Sequence, residues 1–179
     1  MRRFFILSCL LFSLSAGTQG LAASPPPAQP DPFTLVQHPV LNVTQKQNIR
    51  VVYDIKDDVW DAGIGKGLYY ARGLLEAYKA QGVSEKNLKM SVVLHGATVY
   101  WLLKEDAYRQ FKRDEFDFNP NEQVLRELLA HGASMEVCNL TLRGKGWTAD
   151  DLMPGVTLVH DAYTRLIDLQ QQGYAYIRF

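Results

Sequence analysis

Five short hydrophobic runs recur between residue 48 and residue 179, and each has the length of a β-strand. The runs are rich in β-branched and aromatic residues and are bounded by glycine or polar residues, as is typical of strands in a sheet. They lie at residues 49–55, 90–94, 135–138, 156–159 and 174–179. The pattern therefore predicts five strands separated by longer segments.

The longer segments show the three- and four-residue spacing of amphipathic helices. The positions that follow this spacing are Leu68, Ala71, Leu75 and Tyr78 in the first helix, Val124, Leu125, Leu128 and Leu129 in a central one, and Tyr163, Leu166, Ile167 and Gln170 in the last. Gly82, Gly132 and Gly173 follow them and predict their ends. Shorter helical stretches are expected up to residues 101 and 111.

The central helix has a recognisable start and is followed by a loop. Asn119 is a good N-cap, Pro120 suits the first helical position, and Glu122 can complete a capping box. Residues 144–154 predict a loop with one helical turn at 148–153. Strands that alternate with helices are typical of parallel sheets, so we predict a three-layer α/β/α domain with a mainly parallel sheet of about five strands.

The first 47 residues predict export and not a folded domain. Arg2 and Arg3 precede an apolar run at residues 4–16, and small residues follow, which is the layout of a secretory signal peptide over residues 1–22. Residues 23–47 begin with a proline-rich stretch that favours an extended spacer. The domain is expected at residues 48–179.

The charge balance excludes some classes of partner. The chain has 19 basic and 19 acidic residues, and cleavage of the signal peptide removes two arginines, which leaves a net charge of −2. Neither nucleic acid nor an anionic membrane surface is implied as a partner. No second apolar segment is long enough to cross a membrane.

Signal cleavage would also remove Cys9 and leave Cys138 as the single thiol of an exported protein. An unpaired cysteine in an oxidising compartment is a liability unless it is buried, paired with another chain or used. Each of these three interpretations stays open on the residues alone. The unpaired thiol favours the bacterial periplasm as its location.

Candidate chemistry converges on the carboxyl ends of the predicted strands, where open parallel sheets bind ligands. Cys138 closes the third strand and His95 follows the second, while Arg143 and Lys145 lie in a glycine-rich segment after the cysteine. A nearby imidazole or cation favours thiolate, which is the form that attacks sulfur. Each residue also has a plainer interpretation. Cys138 can be interpreted as a buried apolar residue, His95 as a cap of its strand, and Arg143 and Lys145 as solvated cations.

Two other motifs give weaker evidence for a functional site. Residues 63–67 resemble a phosphate-binding loop, but they lack the full pattern of a nucleotide site. Asp57, Asp58 and Asp61 are better interpreted as a solvated acidic loop than as metal ligands, and no histidine has zinc spacing to Cys138. We therefore predict neither a cofactor nor a metal.

The second half of the chain resembles the DsrE/DsrF-like family of sulfur-relay proteins over about residues 48–179. The matching stretches are residues 92–96, 119–121, 128–132, 137–141, 151–156 and 169–177. The resemblance implies a parallel α/β domain, assembly into trimers or hexamers, and a persulfide on a cysteine after the third strand, which matches Cys138. His95 and Asn139 fall in matching stretches and are candidate binding residues. An exported chain departs from the better-known cytoplasmic members.

These observations predict a periplasmic sulfur-handling protein in which Cys138 accepts a sulfane sulfur and passes it on. Its partners would be small sulfur species or a thiol-bearing acceptor protein, with Arg143 and Lys145 steadying an anion and His95 tuning the thiol. The alternatives are a binding or assembly module with an inert Cys138, and a redox-sensing or intermolecular disulfide through the same thiol.

Overall fold

The computed structural model describes residues 39–179, of which Leu41–Phe179 form one unit. The predicted signal peptide and the first part of the spacer lie outside the described residues. Residues 39–48 contain no helix or strand. No helix within residues 39–179 combines the length and the apolar character that crossing a membrane requires.

The helices and strands alternate along the chain. In chain order they are β1 (Ile49–Ile55), β2 (Trp60–Asp61), β3 (Ile64–Gly65), α1 (Lys66–Ala80), β4 (Leu88–Leu94), α2 (Glu105–Lys112), α3 (Glu122–Ala130), β5 (Ser134–Cys138), α4 (Asn139–Gly144), β6 (Thr157–Val159), α5 (Ala162–Gln171) and β7 (Ala175–Arg178). Three 3-10 turns lie at Glu85–Asn87, Gly96–Leu102 and Ala149–Asp151.

Five strands form one parallel sheet in the order β6-β5-β4-β1-β7, while β2 and β3 pair as a separate antiparallel hairpin. All five predicted strands are confirmed, with ends that shift by at most two residues. The predicted three-layer α/β/α fold is confirmed as well, because helices cover both faces of the sheet.

The two faces of the sheet differ in what covers them. The larger core lies on the face that packs against α1, α3 and the turn Gly96–Leu102, and its centre includes Trp101, Leu125 and Val137. The smaller core lies under α5 and contains Val52, Val93, Cys138, Ala162, Leu166 and Leu169. Cys138 therefore belongs to the face that a single helix covers.

The start of the central helix differs from the prediction. The helix begins at Glu122, whose carboxylate pairs with Arg126 and does not reach back to Asn119. Asn119 is buried, and its amide donates hydrogen bonds to the carbonyls of Trp101 and Leu103 at 2.8 Å each. Its side-chain oxygen also accepts a hydrogen bond from the Asn121 N–H at 3.0 Å, so the asparagine makes a local bond at the helix start and ties the 3-10 turn after β4 to it.

The segment after Cys138 begins with a short helix, Asn139–Gly144, which the pattern does not predict, and the predicted loop follows it with its helical turn at Ala149–Asp151. Gly146 has a φ of 79° and donates to the Arg143 carbonyl, while the Trp147 N–H donates to the Leu142 carbonyl. These two bonds form the Schellman motif that ends helices. The positive φ of this glycine therefore serves helix termination.

The connections change face between β5 and β6. The segment after β5 enters α4, whose Leu142 joins the larger core, whereas the segment after β6 enters α5 on the opposite face. In open α/β sheets, ligands bind at such a switch point beyond the carboxyl ends of the strands. Cys138, the last residue of β5, lies at this position.

Candidate functional site

Cys138 lies at the carboxyl edge of the sheet and is almost fully covered. Its exposed fraction is 5%, and it packs in the smaller core with Val93, Ala162 and Leu166. It is a free thiol. Its position at the edge, and not its exposure, makes it a candidate for chemistry.

His95 lies beside Cys138 on the neighbouring strand. Leu94 pairs with Val137 in the parallel register, so the next residues along the two strands are His95 and Cys138. The backbone of His95 is extended and its N–H donates to the Ile55 carbonyl at 3.1 Å. Successive side chains alternate between the faces of a sheet, which places both side chains on the α5 face. The structure thus brings the two predicted residues together.

A buried carboxylate holds the His95 ring. Asp54 is 5% exposed, and its Oδ1 lies 2.7 Å from Nε2 of His95. Its other oxygen, Oδ2, accepts a hydrogen bond from the Tyr176 hydroxyl. Burial alone would raise the pKa of the Asp54 carboxyl, but the hydrogen bonds from His95 and Tyr176 outweigh burial and lower it. Asp54 is therefore a carboxylate at neutral pH.

This charge state fixes the proton on the imidazole. A carboxylate only accepts hydrogen bonds, so Nε2 of His95 must carry a proton and donate it to Asp54. Nδ1 is then the ring nitrogen whose lone pair is free to accept a hydrogen bond. Burial and the bond to Asp54 raise the pKa of Tyr176 to about 12, so its hydroxyl stays a donor. Tyr176, Asp54 and His95 form a chain of donors and acceptors on one face.

The remaining predicted site residues are divided between the near and far ends of α4. Asn139 follows Cys138 directly and is half-buried, whereas Arg143 and Lys145 are exposed at the far end of the helix. Neither cation forms an ion pair within residues 39–179. The structure therefore groups Asn139 with Cys138 and places the two cations one helix length away.

A comparison with protein-family models decides the family. Residues 66–179 match the model of the DsrE/DsrF-like family, which is more than half of the chain. The chain belongs to this family. Membership in the DsrE/DsrF-like family associates the chain with sulfur relay. No curated protein is significantly similar to it.

Two solved structures resemble the DsrE/DsrF-like domain. The ychN protein from E. coli has a TM-score of 0.53 at 16% identity, over 73% of this chain and 100% of that one. A Methanobacterium thermoautotrophicum protein of unknown function, MTH1491, has a TM-score of 0.48 at 25% identity, over 73% of this chain and 99% of that one. The likeness to ychN supports the fold.

Two weaker motifs of this DsrE/DsrF-like chain have structural roles. A Cβ atom at Gly65 would collide with the Trp101 ring and one at Gly67 with Ile55, so these glycines permit close packing. Asp58 is exposed, as expected for a solvated acidic loop, and it also accepts hydrogen bonds from the side chains of Trp60, Tyr100 and Trp101. Within residues 39–179, no cluster of three His, Cys, Asp or Glu residues is arranged to hold a metal ion.

Sequence reasoning did not find Asp54 or Tyr176. Asp54 lies within the hydrophobic run that forms β1, and its side chain is buried. A charged residue in such a run indicates a partner elsewhere in the fold, because buried carboxylates are rare unless paired. Tyr176 is 122 residues away in the chain and has no comparable signal. Only the pairing of β1 with both β4 and β7 brings these residues to His95.

Proposed function

We propose that this protein is an exported sulfur carrier in which Cys138 accepts a sulfane sulfur as a persulfide and passes it to another thiol. The observation that carries the proposal is the position of Cys138 at the switch point of the sheet, next to a histidine held by Asp54. Family membership supports sulfur-relay chemistry as the general role.

The proposed transfer conserves electrons. The Cys138 thiolate attacks the outer sulfur of a donor persulfide, R–S–SH, the S–S bond of the donor breaks, and R–S⁻ leaves with the bonding electron pair. Cys138 then carries –S–SH. An acceptor thiolate attacks that outer sulfur in the same way and regenerates the Cys138 thiolate. His95 takes the proton from the resting thiol on its Nδ1 nitrogen.

Burial of Cys138 favours a second candidate function. A thiol that is 5% exposed and surrounded by Val93, Ala162 and Leu166 has the environment of an inert core cysteine. In that case the protein is a binding or assembly module, and the polar chain from Tyr176 to His95 serves to fix the sheet edge.

The proposal extends to location and assembly. The signal peptide predicted at residues 1–22 supports export to the periplasm. Small sulfur species or a thiol-bearing acceptor protein are the proposed partners, and a homotrimer or homohexamer is the proposed assembly. Arg143 and Lys145 remain candidates for steadying an anionic partner.

The decisive experiment is the intact mass of the mature protein after incubation with polysulfide, with Cys138→Ser alongside. We expect the gain of one sulfur atom, reversed by reductant and absent from the variant. The sulfur should then pass to an added acceptor thiol.

The contrary result has two parts. The protein would gain no sulfur, and Cys138 would react with a small alkylating reagent only after the protein is unfolded. Together these two observations would show that the cysteine is inert. That result would establish the binding module as the better description.

A further inference from the structure

A pocket of about 220 Å³ lies under α5, next to the His95–Asp54 pair. β1 and β7 form its floor with Asp54, Lys56, Tyr176 and Arg178, and α5 contributes Tyr163 and aliphatic side chains. Pockets for drug-sized ligands have about 300–1,000 Å³, so this one suits a smaller group. It is distinct from the surface around Arg143 and Lys145.

The charges of the pocket favour an anion. Lys56 and Arg178 both line it, and Lys56 has no ion-pair partner within residues 39–179. Arg178 has only a long contact, 3.9 Å, with Asp57. Asp54 is the single carboxylate of the lining, and His95 and Tyr176 already donate to its two oxygens. Two cations are thus available to a ligand, and arginine prefers carboxylates and similar oxyanions.

The distance from the pocket to Cys138 limits the size of the ligand. β5, β4 and β1 are consecutive strands of the sheet, so Cys138 and Asp54 lie two strand spacings apart, about 10 Å. One extended residue spans at most about 3.6 Å. A ligand that places a carboxylate in the pocket and its sulfur at Cys138 is therefore the size of a short peptide and not of a single amino acid.

The aromatic ring of Tyr163 links the two places. It makes an edge contact with the His95 ring at 5.5 Å between centroids, and it also lines the pocket. Tyr163 is 65% exposed, whereas His95 beneath it is 6% exposed, so a ligand in the pocket would lie along the tyrosine ring. The ring thus joins the pocket to the buried histidine.

We propose that the pocket between α5, β1 and β7 binds the carboxylate of a small peptide thiol or its persulfide, through Lys56 and Arg178. This inference rests on the proposed function, because it assigns the class of sulfur donor or acceptor to the Cys138 site. It also assigns recognition of the ligand's carboxylate to Lys56 and Arg178 and not to Arg143 and Lys145, which remain candidates for steadying an anionic partner.

The test uses a ligand that cannot transfer sulfur. S-methylglutathione, a thioether with two carboxylates, is titrated into the mature Cys138→Ser protein and binding is followed by calorimetry, with the dimethyl ester, which lacks both carboxylate charges, as the matched control ligand. We expect saturable binding that weakens by about fivefold in the ester and in the Lys56→Gln/Arg178→Gln variant, in keeping with exposed ion pairs. Lys86→Gln, an exposed cation before β4, should bind as the parent does.

Three results would overturn the pocket assignment: no saturable binding, equal binding of acid and ester, or weakening by Arg143→Gln/Lys145→Gln while Lys56→Gln/Arg178→Gln has no effect. The proposed function is judged separately, by adding glutathione persulfide to the wild-type protein. Thioether binding without any sulfur on Cys138 would keep the pocket and reject the carrier. Sulfur on Cys138 at equal rates from the acid and its ester would keep the carrier and reject the pocket.

Discussion

Asp54 decides the protonation state of the candidate site. Its carboxylate holds the proton of His95 on Nε2 and leaves Nδ1 as the basic nitrogen, next to the strand that ends in Cys138. An asparagine would have the same shape, but its amide could donate to Nε2. The imidazole would then carry its proton on Nδ1 and could not accept one from a thiol.

We therefore expect Asp54→Asn to slow the persulfidation of Cys138 by polysulfide at pH 7 by about 100-fold, which is the lower range for loss of general base catalysis. The measurement is the rate of the mass change between pH 6 and pH 9. Tyr176→Phe, which removes one donor to Asp54 and keeps the carboxylate, should slow it far less. An unchanged pH profile in Asp54→Asn would show that the carboxylate has only a structural role.

Glu136 is a buried charge that the site does not use. It is 1% exposed and accepts hydrogen bonds from Arg165 Nε at 2.6 Å, from Arg165 Nη2 at 2.9 Å and from Ser91 at 2.6 Å. Burial would raise the pKa of the carboxyl, but the bonds from Arg165 and two serines outweigh burial and lower it below 4.5. The ion pair fastens α5 over the smaller core.

Because a buried charge without its partner is costly, Arg165→Met should lower the free energy of unfolding by about 3 kcal/mol at pH 7. Asp168→Asn, which removes the exposed partner of the same arginine, should cost less than about 0.5 kcal/mol. Urea unfolding measures both. Equal losses in the two variants would refute the assignment.

The pH dependence follows from the lowered pKa of Glu136. The unfolded chain binds this proton more tightly, so the contribution to stability is complete above pH 4.5 and disappears as the pH falls through the lower folded pKa. Wild-type stability should fall more steeply with acidification than that of Glu136→Gln.

Among the elements, the strands could be predicted because each is a short hydrophobic run between breakers. β1 has the predicted bounds, Ile49–Ile55. The α4 helix could not be predicted, since six residues are too few for periodicity and its end depends on a Schellman motif. The β2–β3 hairpin has two residues per strand, and its place depends on Trp101 packing against Gly65.

The same limit applies to the site. Cys138 and His95 could be predicted because both end hydrophobic runs, and parallel strands share one carboxyl edge. Asp54 and Tyr176 could not, because their roles require the neighbours of β1 to be known, and strand order is a property of the whole sheet.

Two glycines of α1 provide a test of packing at the scale of the element. A Cβ at Gly67 would lie 2.5 Å from the Ile55 side chain, whereas a Cβ at Gly73 meets nothing within 4 Å. We expect Gly67→Ala to destabilise the protein by about 1–3 kcal/mol through overpacking. Gly73→Ala should stabilise it by about 0.5–1 kcal/mol, because alanine favours the helix. Thermal unfolding gives the sign of each change, and a stabilising Gly67→Ala would contradict the structure.

At the scale of the whole molecule, the resemblance to family members predicts a homotrimer or homohexamer. The surface carries exposed aromatic side chains that an interface would cover, including Phe116 at 85% and Phe118 at 63% exposure. Light scattering of the mature protein should give a mass three or six times that of one chain across micromolar concentrations. A monomeric mass throughout that range would exclude such an assembly.

The position of β7 beside β1 also determines when Cys138 becomes protected during folding. β1 pairs on one edge with the nearby β4 and on the other with β7, where Val52 is the partner of Tyr176, so its second edge is completed by a strand more than a hundred residues later. Such distant pairings form slowly. Because α5 immediately precedes β7 and covers the cysteine, we expect the thiol to be among the last parts of the core to be enclosed. If the chain is exported as proposed, an oxidising compartment would have its best opportunity to modify this thiol while the chain is still folding.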